Sequence, residues 1–196
     1  MAGERPSLQG YEVLLCVTGG IACYKAAELT SKLVQAGAGV TVAMTESAGR
    51  FVAPLTFQTL SGRQAYVSMW QSTESYEAHH LSLTGRADLM IVAPATANIM
   101  AKMAAGIADE LVSALALSAH GECEILIAPA MNTRMWEAPA TQENLARLKQ
   151  RGVHTVGPGE GFLACRTVGK GRMAEPEEIL AAAAELLRRK SPKAKK

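Results

Sequence analysis

The chain has 196 residues, is 48% hydrophobic and 19% charged, and sets 20 Lys and Arg against 18 Asp and Glu for a formal charge of +2. That describes a globular domain able to bury a core without staples, and it excludes a disordered chain. Part of the small positive surplus sits in the terminal Arg188, Arg189, Lys190, Lys193, Lys195 and Lys196, so nucleic-acid binding gains little support, because a basic tail is usually a solvated end.

In chain order, Glu12 to Thr18 is an aliphatic, β-branched run that ends in Gly19-Gly20 and leads into a helical pattern from about Ala22 to Gln35. Gly37 and Gly39 break it before a second strand, Val40 to Met44, and Pro54 to Leu60 reads as a short helix with proline in its first turn. A third strand, Leu89 to Ala93, ends at Pro94 and Ala95-Thr96-Ala97-Asn98. Met100 to Ala119 reads as two helices joined near Gly106, and a fourth strand, Ile125 to Ala128, ends at Pro129. Ala128-Pro129 and Ala138-Pro139 bracket a stretch that cannot be one continuous helix. Pro139 to Arg151 closes at Gly152, Val153 to Val156 is expected as a last strand, and the glycine-rich 158–171 as a mobile flap. Glu175 to Lys190, acidic early and basic late, reads as a final helix.

Strands alternating with helices imply an α/β fold, a parallel sheet with helices on both faces, and near-continuous apolar strands fit that buried setting. A single domain over 11–190 is expected, with a flexible stretch at 1–10, the flap at about 158–172 and a basic disordered tail at 191–196. No N-terminal stretch has the pattern of a secretion signal, and no apolar run reaches the roughly 18 residues of a membrane span, so the expected location is the cytoplasm. The four cysteines Cys16, Cys23, Cys123 and Cys165 show neither CxxC spacing nor a histidine pattern, so no metal site or disulfide framework is expected.

Each strand runs out into something small or polar, and ligands of open parallel sheets bind outside that edge, at the switch in strand order. Thr18-Gly19-Gly20-Ile21 is either a plain tight turn or a phosphate turn of mononucleotide type, because it matches neither GxGxxG nor a P-loop. Thr96 and Asn98 can read the edge of a flat heterocycle, or Asn98 can cap the next helix. His79-His80 suits a structural role or a single general base, not a metal pair, since adjacent residues point apart. Asn132, with Met131, Met135 and Trp136 around it, can hook a carboxylate or amide, or the sulfur-rich stretch can be a subunit interface. Cys165 on the flap can donate a proton if the flap closes over a site, or be an incidental thiol.

Taken jointly, TGGIACYK, HLSL at His80, APATAN, PAMNTRMW and LACRTVGKGRM resemble the homo-oligomeric flavin-containing cysteine decarboxylases, above all their coenzyme A branch, from about Glu12 to Glu177. The resemblance implies a three-layer Rossmann-like (flavodoxin-like) fold that binds FMN. It sets the FMN phosphate near Gly19, Gly20 and Ile21, with further contacts from Thr45, Ser47, Ala95, Thr96, Ala97, Asn98 and Ala130. His80, with its His-x-x-Leu spacing, is then the base. Asn132 holds the substrate carboxylate beside Met131 and Met135, while Ala164 and Arg166 approach the substrate and Cys165 supplies a proton. The implied reaction is decarboxylation of 4′-phosphopantothenoylcysteine through a thioaldehyde and an enethiol, the flavin serving as electron sink.

Two departures stand out. Arg166-Thr167 occupies positions where the coenzyme A enzymes usually read Gly-Asp. That leaves room for a relative that oxidatively decarboxylates a peptide's C-terminal cysteine, although retention of Cys165 favours the coenzyme A branch. The sequence also stops after one helix, so a separate synthetase is expected. A flavin prenyltransferase is disfavoured by PAMNTRMW, and a non-catalytic FMN-binding subunit by the intact His80, Asn132 and Cys165. The resemblance further implies a homotrimer or a dodecamer of trimers, without nucleic acid or membrane, in which His80 acts across an interface.

Overall fold

The computed structural model describes residues 6–70 and 79–193, leaving aside the side chains of His79 and His80. In chain order the elements are β1 (Glu12–Val17), α1 (Cys23–Gln35), β2 (Gly39–Met44), α2 (Glu46–Gly49), α3 (Pro54–Ser61), β3 (Ala65–Tyr66), α4 (His79–Arg86), β4 (Leu89–Ala95) and α5 (Ala97–Ala105). They continue with α6 (Leu111–Ser118), β5 (Glu124–Pro129), α7 (Thr133–Glu137), α8 (Pro139–Gln150), β6 (His154–Thr155), β7 (Gly159–Phe162), β8 (Val168–Arg172) and α9 (Pro176–Leu187). No described helix is long and apolar enough to cross a membrane.

β1 to β6 form a parallel sheet in the order β3-β2-β1-β4-β5-β6. The order reverses between β1 and β4, which makes that point the topological switch of a doubly wound sheet. Side chains alternate across it. Val13, Leu15 and Val17 of β1, with Leu89 and Ile91 of β4, pack against Leu29 and Leu33 of α1 and Ile179 and Ala183 of α9. Leu14, Cys16, Met90 and Val92 face the other way, onto Ile99 and Met100 of α5, Leu115 of α6 and Leu145 of α8. A core on both faces explains why these strands read as unbroken apolar runs, and each large aliphatic chain so buried contributes about 1.5–3 kcal/mol. Cys16 is a small core residue on this sheet, and Cys123 is half-buried.

The helix boundaries follow local chemistry. Gly106 (φ 74) takes the left-handed C-cap of α5 and separates it from α6. Ala138 is extended (φ −56, ψ 132), so the chain leaves α7 and re-enters helix at Pro139.

Two expectations are corrected. β4 continues through Pro94 to Ala95 instead of stopping at Ala93. The segment expected as a mobile flap, about 158–172, is built as an antiparallel hairpin of β7 and β8. Its base is docked, because Met131 N donates to Gly171 O at 2.9 Å. The packed chain also overruns the expected ends. Leu8 is 1% exposed, and at the other end Lys193 N donates to Asp88 Oδ1 at 2.8 Å. This last stretch laces the edge where the strands begin: Tyr11 donates to Lys190 O at 2.8 Å, Lys190 pairs with Glu124 at 2.7 Å, and Lys193 Nζ reaches Gly85 O, in α4, at 3.0 Å.

Candidate active site

The opposite edge, where the strands end, opens into a cleft of about 1200 Å³. A single small ligand typically occupies roughly 300–1,000 Å³, so this cleft has room for a cofactor and a substrate together.

Its floor is the switch point. Thr18, at the end of β1, donates through Oγ1 to Pro94 O at 2.7 Å and accepts from Thr96 N at 3.3 Å. Those bonds hold the β1 and β4 loops at a fixed separation. Next to them Gly19 lies against the β2 loop so closely that a Cβ there would overlap Ser47, and only glycine permits that approach. Thr45 caps α2 by accepting from Ala48 N at 3.2 Å. α1 is different, because no side chain caps its N-terminus. An uncapped helix start opening from a glycine turn into a cleft suits a phosphate, which the amides and the helix dipole both favour.

The β4 loop assigns its polar groups unlike the capping alternative read from sequence. Thr96, not Asn98, caps α5, with Oγ1 accepting from Ile99 N at 3.3 Å. Asn98 is exposed on the cleft wall, and its amide is not spent on that cap.

Asn132 caps α7, its Oδ1 accepting from Met135 N at 2.8 Å. That bond occupies one lone pair of Oδ1 and fixes the amide, leaving the Nδ2 donors available to a ligand, the polarity a carboxylate requires. Met131 and Met135 line the cleft beside it. Trp136, one residue on and about 100° further round the helix, turns into the core and is 9% exposed. It therefore does not belong to the apolar surround expected of it.

The hairpin reaches over the opening. Phe162, Leu163, Ala164 and Cys165 line the cleft, and the Cys165 sulfur lies 3.1 Å from Thr167 Oγ1. The Thr167 hydroxyl, and more weakly the positive charge of Arg134, hold the thiol below its ordinary range. Arg166 takes a left-handed conformation (φ 64), uncommon for a residue with a side chain.

Charge is distributed unevenly along the walls. Near the hairpin base the buried Lys25 is fully engaged, by Met173 O at 3.3 Å and by the two Glu175 oxygens at 3.0 and 2.9 Å, and Arg172 shares the same carboxylate. Across the cleft Lys102 meets Asp109 at 2.7 Å and Glu110 at 3.9 Å, and burial pushes the Glu110 carboxyl up.

Of the residues expected around a ligand, Gly19, Gly20, Ile21, Thr45, Ser47, Thr96, Ala97, Asn98, Ala130, Met131, Asn132, Met135, Ala164 and Cys165 all line this one cleft. Two others do not. Ala95 is fully buried, and its carbonyl accepts from Ala130 N at 3.0 Å, so it fixes the wall without forming it. Arg166 stands on the exposed hairpin tip, outside the lining. His80 belongs to α4, but its side chain lies outside the described residues. The wall formed by Val67, Met69 and Trp70 was missed, because it follows a strand of only two residues, too short for any periodicity. Tyr24 and Lys25 were missed as well, although their place in the first turns of α1 could have flagged them.

Fold and site together define a doubly wound α/β protein whose switch-point cleft suits a phosphorylated, partly apolar ligand and a carboxylate-bearing one. The chain belongs to the family described as Flavoprotein, whose model matches residues 2–188. It is 51% identical over 173 residues to the coenzyme A biosynthesis bifunctional protein CoaBC of Bacillus subtilis, covering 88% of this chain but 42% of that one. This chain therefore spans less than half the length of such relatives. A probable phosphopantothenoylcysteine decarboxylase of Streptococcus mutans is 41% identical over 169 residues, covering 86% of this chain and 94% of that protein. Among solved structures, a cysteine-to-serine mutant of PPC decarboxylase complexed with pantothenoylaminoethenethiol superposes with a TM-score of 0.80. It has 28% identity, over 89% of this chain and 97% of that one.

Proposed function

We propose that the chain is an FMN-dependent carboxy-lyase that converts 4′-phosphopantothenoylcysteine to 4′-phosphopantetheine in coenzyme A biosynthesis. The observation that carries this reading is the meeting, in one cleft, of the Asn132 amide with its Nδ2 donors available, the Cys165 thiol and the uncapped start of α1. The names of the relatives, and the enethiol held by the similar PPC decarboxylase, agree with it.

The residues suit FMN: the α1 turn at Gly19 to Ile21 takes the phosphate, the Thr45, Ser47, Thr96, Ala97, Asn98 and Ala130 loops surround it, and the soft walls at Met69 and Trp70 accept a flat ring. When bound, the flavin supplies a reversible electron sink, which a cysteine carboxylate next to saturated carbon lacks. Asn132 then orients the carboxylate for loss as CO₂, and His80 is the base that removes the proton accompanying oxidation of the thiol. The hairpin excludes water, and Cys165 returns a proton as the enethiol is reduced. Ile21, Tyr24, Trp70 and Phe162 stand 60%, 60%, 87% and 67% exposed around the opening, which fits a neighbouring subunit completing the cleft, as in the homotrimer or dodecamer of trimers we propose.

Incubation of the flavin-loaded protein with phosphopantothenoylcysteine, read by product mass, tests the proposal. Loss of CO₂ alone is expected. A product lighter by two further hydrogens would mean that the enethiol escapes, and would redirect the assignment to peptides ending in cysteine. No turnover would sink the enzyme reading.

A further inference from the structure

The end of the hairpin is closed by two backbone bonds, Leu163 N to Thr167 O and Arg166 N to Leu163 O, each 2.8 Å. Leu163 is 7% exposed, while Ala164 and Cys165 are exposed at the crest of the turn. On an extended strand the side chains of residues i and i+2 stand about 6.5–7 Å apart. Here the left-handed Arg166 (φ 64) lies between them and folds the chain back. Cys165 Sγ and Thr167 Oγ1 are thereby brought to 3.1 Å. The turn thus creates a contact that a straight strand would not.

Either atom of this pair could donate. The surroundings favour the hydroxyl: Arg134 belongs to α7, whose Thr133 packs against Gly169 of the same hairpin, and its positive charge acts on the Cys165 thiol. A cation near a thiol favours its anion, and a thiolate can only accept. The lowered Cys165 titration agrees, with the Thr167 hydroxyl as its largest cause.

We infer that Thr167 is a positioning residue for Cys165: its hydroxyl donates to the sulfur, fixes the thiol at the crest of the hairpin, and supports the thiolate left behind once the proton has gone. This rests on the reading of Cys165 as the proton donor in the proposed reaction. In that step the Sγ–H bond breaks and the sulfur keeps the electron pair. One carbon of the enethiol double bond would take the proton, and the other the hydride that a bound, reduced flavin would supply. Water then reprotonates the sulfur. Without the hydroxyl, both the rotamer and the thiolate lose their support.

The test needs neither flavin turnover nor substrate. The rate of iodoacetamide alkylation of Cys165 is followed against pH by intact mass in the whole protein, with Cys165→Ser subtracting the other thiols. Cys16 and Cys23 are buried and Cys123 is half-buried, so that background is slow. Thr167→Val should move the titration midpoint up by about half a unit to one unit, lowering the rate at neutral pH roughly threefold to tenfold. Thr167→Ser should restore the wild-type profile, which a merely structural role for the threonine would not require. An unmoved midpoint in Thr167→Val would overturn the inference, and a lowered one would mean that the thiol had been the donor. Because the alkylation is read without substrate, its failure is separable from a failure of the decarboxylase reading.

Discussion

Gly171 is the residue through which the hairpin holds to the body of the protein, and Gly171→Ala isolates that hold. Its φ is +129, a region almost closed to other residues, and a Cβ there would overlap the Met131 carbonyl oxygen. Relief requires the two backbones to part, which sacrifices the 2.9 Å bond from Met131 N to Gly171 O. A lost backbone bond costs about 1 kcal/mol and the forced conformation about 1–3 kcal/mol, together about 2–4 kcal/mol. Concentrated in the hairpin, that loss speeds exchange of the Met131 amide roughly thirtyfold to a thousandfold. Spread over the whole domain, it lowers Tm by about 4–16 °C. Hydrogen exchange read at Met131, beside calorimetry, covers both routes. Gly62→Ala is the control, because Gly62 also has a positive φ (+67) but a Cβ there meets nothing within 4 Å. Exchange at Met131 within about threefold of wild type, with an unmoved Tm, would refute the idea that this contact seats the hairpin.

Other outcomes follow from the same geometry. Asn132→Asp keeps the α7 cap, since Asp caps as well as Asn, so Tm should hold while retention of the enethiol analogue, measured by calorimetric titration, is lost; Asn132→Ala should cost about 1 kcal/mol of stability as well. Glu175→Gln leaves the ammonium of Lys25 (side chain 8% exposed) without its anion; because Glu175 is itself 41% exposed, the cost at neutral pH should be about 2–3 kcal/mol, below that of a fully buried pair. Lys25, then Arg172, holds the Glu175 carboxyl below its usual range, so its contribution is complete above the unfolded value near ~4.3 and is lost as pH falls through the lower folded value. Acid melts should therefore show wild type losing stability over that window and converging on Glu175→Gln, and parallel curves would contradict the linkage. Arg166→Gly removes about 1–2 kcal/mol of left-handed strain but returns about 0.5–1 kcal/mol as chain entropy in the unfolded state. Its Tm should rise by no more than about 6 °C, and a fall would show that Arg166 makes a contact worth more than the strain.

The sheet and its strand-end loops were legible because the same residues carry both signals: β1, β4 and β5 are unbroken apolar runs, and each stops in small or polar residues at the switch-point edge. The hairpin was not. GEGF and VGKGR show no alternation, and the bond that docks them is made by backbone, which leaves no side-chain signature beyond Gly171 itself. Trp136 was misplaced because composition groups it with Met131 and Met135, while helical phase sends it to the core. Asn98 offered a plausible cap, yet Thr96 sits one position before the helix and takes the Ile99 amide. Ala95 entered the site through the resemblance, as the first residue of the Ala95 to Asn98 loop, but it is buried in the wall. The choice of His80 over His79 came only through the resemblance, and the side chain lies outside the described residues.

The lacing of residues 190–193 across the starts of β1, β4 and β5 has a practical consequence for fusion. With Pro192 packed on Gly10 and Tyr11 bonded to Lys190, the two ends of the described chain lie side by side, at the rim opposite the cleft. A tag, a surface tether or a second catalytic module joined at either end would thus emerge behind the sheet and leave the ligand opening clear. For the same reason a fused module could not receive an intermediate through the sheet, and transfer between two such sites would have to go around the protein through bulk water or by way of a neighbouring copy. A short linker between residues 193 and 8, with new ends cut at an exposed loop, is also a natural design for a circular permutant.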